Sequence, residues 1–389
     1  MFGSRDGRVP AIRRRAVLLL VSALLGSGLA ATTGPAAARD LPPVTDALRL
    51  NQIQFIGTHN SYHQMPAADE LPGSLVGSAT DGFRYQHASL TDQLTDQRVR
   101  AVELDLNPDP TGGRYRYPLA RRLAGHGPLA DPEYRQPGIK VLHSADVDYR
   151  TSCISLRRCL REIRAFSDSH PRHTPILIQL ELKSTDATAR RLGGVDVPAW
   201  DRAQLAELDR EIAETFAPED LITPDSIRLP GRTVEQSARA GGWPTLARAR
   251  GRVMFFFDNA SSEPGAPSRL RADYLRMHPG LRTAPVFTRG AVGQPDAAVT
   301  MVNDPRGSHL DEIRRLVSAG YLVRTRADEP MSTVKADEHT RVAVALASGA
   351  QDVTTDFPVA GMASRWGDGT FVAQLPGTDV VRSNPISAR

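Results

Sequence analysis

The strongest constraint on the fold is a repeating alternation of short apolar runs with longer stretches of helical spacing. The runs at 53–57, 101–106, 140–143, 176–182 and 253–258 read as strands, and weaker ones at 286–287, 299–302, 321–325 and 352–355 complete the set. Between them, 89–99, 154–170, 200–216, 310–319 and 336–348 read as amphipathic helices; Leu205, Leu208, Ile212 and Phe216 show the spacing. Strands that alternate with helices build a parallel sheet covered by helices. About eight such units predict an α/β fold, a closed (β/α)8 TIM barrel in a single domain over 51–389. An open doubly wound sheet is the alternative. It calls for a Gly-rich phosphate turn after an early strand, and the chain has no G-x-G-x-x-G or Walker loop.

The N-terminus reads as an export signal. Arg5, Arg8, Arg13, Arg14 and Arg15 precede an apolar run from Ala16 to Leu25, and small residues follow to Ala36-Ala37-Ala38. This is the order of a secretory signal peptide over 1–38, by the Sec route or, on the paired arginines, the twin-arginine route. The apolar run is short for a membrane span. Residues 39–50 read as a linker. The leader also explains the basic balance: 48 basic and 44 acidic residues lose five and one with it, leaving 43 of each. A formally neutral mature chain without a basic stripe gives no footprint for nucleic acid. Only three lysines occur, Lys140, Lys183 and Lys335. For a secreted chain, Cys153 and Cys159 are expected to form a local disulfide. Positions six apart lie on different sides of a regular helix, so the bridge requires an irregular turn near Cys153.

Chemistry-bearing residues gather where strands stop. The run Phe55-Ile56-Gly57-Thr58-His59-Asn60-Ser61-Tyr62-His63 passes from a buried strand, through a turn expected at Gly57, into two imidazoles, an amide and a hydroxyl. Side chains two apart share a strand face. Glu103 and Asp105 therefore share one face, and Gln179, Glu181 and Lys183 share another, with apolar residues opposite. In a barrel the inward face at a strand's C-terminal end opens into the active-site mouth, where such groups belong. Glu103, Asp105, Glu181 and the amide oxygen of Asn60 make a hard donor set suited to Ca²⁺, less so to Mg²⁺ or zinc. His59 and His143, each placed at a strand end, form an acid–base pair across such a metal. Long loops at 65–86 and 107–138 overhang this end, the first as a candidate lid.

The motifs Gly57-Thr58-His59-Asn60-Ser61-Tyr62, Val102-Glu103-Leu104-Asp105, Leu142-His143-Ser144 and Leu180-Glu181-Leu182-Lys183, in this order, resemble those of the calcium-dependent phosphoinositide-specific phospholipase C family, in its secreted actinobacterial branch. Val323-Arg324-Thr325-Arg326-Ala327-Asp328 and Thr354-Thr355-Asp356 extend the resemblance to the end of the chain. The resemblance implies a TIM barrel with catalytic His59 and His143. It implies Ca²⁺ on Asn60, Glu103, Asp105 and Glu181, with Lys183 near a substrate phosphate. Arg324 is a second substrate-binding candidate, from the strand nearest the usual barrel phosphate site. His63, His87 and His126 match no family position. The implied reaction cleaves phosphatidylinositol to diacylglycerol and a cyclic inositol phosphate that water can open. The partner is then a phospholipid membrane surface met peripherally by a monomer, with Tyr115, Tyr117 and the arginines of 114–122 as a candidate rim. The alternatives are a glycerophosphodiester phosphodiesterase, whose first motif runs His-Arg-Gly where this chain has His59-Asn60-Ser61, and a non-catalytic binding protein on the same barrel.

Overall fold

The computed structural model describes residues 41–70, 82–259, 269–329, 333–364 and 369–388. The expected signal peptide and the middle of the candidate lid lie outside them. Eight strands run parallel: β1 (Ile53–Thr58), β2 (Ala101–Asn107), β4 (Ile176–Leu182), β5 (Val253–Phe257), β6 (Val286–Phe287), β7 (Val299–Met301), β8 (Leu322–Arg326) and β9 (Asp352–Thr355). Their order is β6-β5-β4-β2-β1-β9-β8-β7, so the sheet curls into a barrel that is hydrogen-bonded everywhere except between β6 and β7. No helix separates those two short strands, whereas helices such as Leu156–Ser169, Arg202–Thr215, Ser308–Ser318 and Thr340–Ser348 cover other crossings.

One expected strand is not part of the barrel. Of 140–143 only Lys140–Val141 is extended (β3), and it pairs antiparallel with the end of β2, Val141 opposite Leu106 and Lys140 opposite Asn107. The reason is occupancy: β4 already takes the parallel edge of β2 from Ala101 through Leu106. A further antiparallel strand, β10 (Val381–Ser383), lies on the start of β1.

The outer layer follows its spacing. In Leu156–Ser169 the buried residues Leu156, Cys159, Leu160, Ile163 and Phe166 form one stripe against the sheet. Ser155 caps this helix by accepting from the Arg158 N–H. Cys153 precedes the cap in irregular backbone and is bonded to Cys159 within the first turns. Within the stretch read as a linker, Asp46 to Leu50 is docked: the Leu48 and Asp46 carbonyls accept from Leu246 and Ala247, and the Arg49 guanidinium donates to the Trp243 carbonyl.

Gly57 is required for a reason other than the expected turn. It lies inside β1, and a Cβ there would meet Asp352 Oδ1 at 2.3 Å and the Ala101 Cβ at 2.9 Å. The absent side chain lets β1 sit close to both β2 and β9. The chain turns three residues later, at Asn60.

Candidate active site

Asn60 takes φ of +45°, a left-handed conformation that Asn tolerates better than most residues. Ser61 then ties the turn to β2: its N–H donates to the Glu103 carbonyl (3.0 Å), and its hydroxyl accepts from the Glu103 N–H (2.8 Å). The Asn60 amide nitrogen donates to the Tyr85 hydroxyl, while its Oδ1 is buried without a hydrogen-bond partner.

Beside it, Glu103 and Asp105 of β2 and Glu181 of β4 each bring a carboxylate oxygen within 4.8 Å of the others. Asp105 and Glu181 are cross-strand partners, so the sheet register itself brings them together. Two cations face the three carboxylates. Arg324 Nη2 lies 2.9 Å from Glu103 Oε2, and Lys183 Nζ lies 2.9 Å from both Asp105 Oδ2 and Glu181 Oε1. Negative charge remains in excess. Burial pushes Glu103 well above the usual carboxylate range, against the pull of Arg324 and with the help of Asp105. Burial and Asp105 raise Glu181 against Lys183. Asp105 Oδ1 is buried with no hydrogen-bond partner, like Asn60 Oδ1. Crowded carboxylates and orphaned neutral and anionic oxygens, with no sulfur or imidazole in the cluster, fit a hard cation such as Ca²⁺.

His59 follows β1. Its Nδ1 lies 3.1 Å from Asp356 Oδ1, and its Nε2 lies 3.9 Å from Glu103 Oε1. Arg326 donates toward Nε2 at 3.4 Å and ion-pairs with Asp356 at 2.9 Å. Because a guanidinium only donates, Nε2 carries the lone pair and Nδ1 the proton. Burial, then the Arg326 charge, pulls His59 down to about 3, so the ring is neutral.

His143 sits in the loop just past β3. Its Nδ1 donates to Asp148 Oδ2 at 2.8 Å, and the ring meets Phe83 edge-on. Burial lowers its pKa, but the Asp148 hydrogen bond and charge, with Asp105 behind, more than offset this and hold it above the usual histidine range. Asp148 is shared with His63, whose Nε2 lies 2.8 Å away and whose ring stacks on Tyr85. Burial acts to raise the Asp148 carboxyl, yet His63 and His143 together hold it below its ordinary range.

Of the residues expected at the site, His59, Asn60, Glu103, Asp105, Glu181 and Lys183 converge at the C-terminal ends of β1, β2 and β4, with His143 on the loop above. Arg324 is different in character. It is buried, and its three guanidinium nitrogens donate to Thr354, Asn303 and Glu103. The histidines set aside on sequence grounds are structural parts of the site. His63 holds Asp148, and His87 donates to the His59 carbonyl at 2.8 Å and lies 3.7 Å from Asp356; His126 remains outside, paired with Asp69. Asp148 and Asp356, the carboxylates behind the two imidazoles, were not assigned from sequence. Asp356 ends a quoted motif one residue past β9, whereas Asp148 lies in irregular backbone with no periodic signal. The candidate rim needs one correction: Tyr115 is buried with its hydroxyl on the Pro108 carbonyl, while Tyr117 is exposed.

A family model described as phosphoinositide phospholipase C, Ca²⁺-dependent, matches residues 48–385. Among solved structures, a calcium-dependent phosphoinositol-specific phospholipase C from the Gram-negative Pseudomonas sp. is 16% identical over 88% of this chain and 98% of that one, with a TM-score of 0.52. Its myo-inositol complex gives 15% identity, the same coverage and a TM-score of 0.51. A Ca²⁺-dependent phosphatidylinositol-specific phospholipase C from Streptomyces antibioticus is 19% identical over 80% of this chain and 96% of that one, with a TM-score of 0.52. At such identities the likeness to these structures is one of fold. No curated protein matches the chain. The match over nearly the whole barrel means that this chain belongs to the Ca²⁺-dependent phosphoinositide phospholipase C family of phosphodiester-cleaving enzymes.

Proposed function

We propose that the chain is a secreted phospholipase C that cleaves phosphatidylinositol to diacylglycerol and inositol phosphate by two-histidine acid–base catalysis, acting as a monomer at a membrane surface. The observation that carries the mechanism is the opposed state of the two imidazoles, each backed by its own carboxylate beside one oxygen cluster. Asn60, Glu103, Asp105 and Glu181 would hold Ca²⁺, which when bound supplies a Lewis acid beside the scissile phosphodiester.

His59, neutral with its Nε2 lone pair available, is the base that takes the proton from the attacking inositol hydroxyl. Asp356 fixes its tautomer through Nδ1. His143, favoured in its protonated form by Asp148, delivers a proton to the departing diacylglycerol oxygen. The oxygen–phosphorus bond to the inositol ring forms as the bond to diacylglycerol breaks, giving a cyclic phosphate. The reverse proton path, with water as nucleophile, opens it. Lys183 is suited to orient a substrate phosphate from the cluster's edge, although its ammonium is shared with Asp105 and Glu181. Arg324 acts through Glu103, which it holds in place. Export rests on the leader at 1–38, and the Cys153–Cys159 bond accords with an oxidising compartment.

A phosphorus NMR time course on phosphatidylinositol vesicles tests this reading. Cyclic inositol phosphate should appear first with calcium, and production should stop on chelation. Turnover of glycerophosphocholine in place of phosphatidylinositol would make the chain a glycerophosphodiester phosphodiesterase.

A further inference from the structure

Among the described residues four large apolar side chains are conspicuously exposed, and three of them meet at one place: Tyr117 (41% exposed), Leu123 (55%) and Leu192 (53%). They come from two loops, the one leaving β2 and the one leaving β4, the strands that carry Glu103, Asp105 and Glu181. Arg122 joins them. Its guanidinium lies 5.9 Å over the Tyr117 ring and donates to the Gly193 carbonyl, next to Leu192. The buried carboxylate of Asp146 clamps the two loops together, accepting from the Leu119 N–H at 2.9 Å and the Val195 N–H at 2.7 Å. The apolar groups are therefore held out to water by a fixed scaffold, a costly arrangement for a surface with no partner.

Charge narrows the partner. Residues 114–123 hold four arginines and no acid, and 187–193 hold two more and no acid. Arg121 is neutralised by Glu70, and Arg190 lies 3.6 Å from Asp196. Arg114, Arg116 and Arg122 instead donate to backbone carbonyls, of Asp196, Leu129 and Gly193, which leaves their charge uncompensated. An aromatic ring and two leucines among such arginines match an interface with apolar chains below a layer of anionic phosphate.

We propose that Tyr117, Leu123 and Leu192, ringed by Arg114, Arg116 and Arg122, form the surface by which this protein docks on an anionic phospholipid membrane. The proposal rests on the functional reading above and gives it an orientation: the patch seats the lip of β2 and β4 on the lipid, so that a headgroup enters beside the carboxylate cluster.

The test compares wild type with L123S/L192S and with R114Q/R116Q in co-sedimentation with phosphatidylcholine vesicles, with and without phosphatidylglycerol. Turnover of soluble inositol cyclic phosphate reads the fold and the site separately. The leucine pair should lower partitioning onto anionic vesicles about tenfold or more. The arginine pair should lower it and flatten its dependence on salt. Soluble turnover should stay unchanged in both. Unaltered partitioning of L123S/L192S would overturn the proposal and leave this face to a protein partner. Wild type that docks through these residues yet hydrolyses no phosphatidylinositol would sink the functional reading while the docking surface stands.

Discussion

The Asp148 carboxylate accepts from His143 Nδ1 at 2.8 Å, and it is the one strong acceptor that fixes which nitrogen of that ring is left facing the mouth. With Nδ1–H committed, only Nε2 is available to exchange a proton with a leaving group.

Asp148→Asn should therefore act mainly on kcat, lowering it about a hundredfold or more, with a smaller effect on KM. The pH profile gives a sign. Asp148 raises the His143 pKa, so the protonated acid persists to higher pH and is lost as pH rises through that value. Removing the charge lowers it, and the alkaline limb of kcat/KM should move to lower pH. The Asp148 carboxyl itself is held down, so its contribution to stability is present above the ordinary carboxylate pKa and lost as pH falls through its folded value. Asp148→Asn should flatten acid unfolding in that range. An unmoved alkaline limb in the variant would remove Asp148 from the proton path.

Calcium should raise the melting temperature of the wild-type protein. A ligand that binds only the folded state at about a hundred times its Kd adds about 2.7 kcal/mol. Glu181→Gln and Asn60→Ala should each lose most of that response, because each removes or blunts an oxygen donor at a cluster whose remaining members are fixed by the sheet register. Isothermal titration calorimetry with calcium gives the affinities directly. Full calcium affinity in Asn60→Ala would exclude its amide oxygen from the site.

Sequence reading reached the parts of the site that ride on regular elements. Glu103, Asp105 and Glu181 were legible because strand alternation separates a polar face from an apolar one, and the barrel turns that face inward. His59 and Asn60 were legible as a polar break after an apolar strand. Residues 140–143 were misread as a barrel strand because a short apolar run cannot reveal the direction of its pairing, which long-range occupancy of the β2 edge decides. Asp148 and His63 were missed for a related reason: loops have no period, and the shared carboxylate joins residues 85 positions apart. Gly57 was noticed, but its cause, the approach of Asp352 from β9, is a contact between opposite ends of the chain.

Gly57→Ala tests that contact. The backbone conformation would suit alanine, so any loss comes from the crowding of a Cβ 2.3 Å from Asp352 Oδ1 and 2.9 Å from the Ala101 Cβ. Overpacking of this kind costs about 1–3 kcal/mol. Asp352 cannot swing aside freely, since it accepts from Thr354 Oγ1 in a fully buried position. Chemical denaturation should show a lower midpoint with an unchanged slope. A variant as stable as wild type would mean that β1 and β9 separate more easily than their register suggests.

Arg324→Gln distinguishes two roles for a buried guanidinium. A residue that binds substrate phosphate would, when lost, raise KM and leave the folded protein and its metal affinity intact. The observed contacts lead elsewhere: Arg324 spans Asn303, Thr354 and Glu103, and Glu103 would be left as a buried charge without its partner. Breaking a buried pair from one side costs about 3–5 kcal/mol. Arg324→Gln should therefore lower stability in the absence of calcium and weaken calcium binding through a displaced Glu103. Arg324→Lys should recover part of the charge balance but not the three-way geometry, and so fall between. Equilibrium unfolding with chelator, paired with calcium titration of both variants, reads the two effects independently. A change confined to KM would return Arg324 to the substrate.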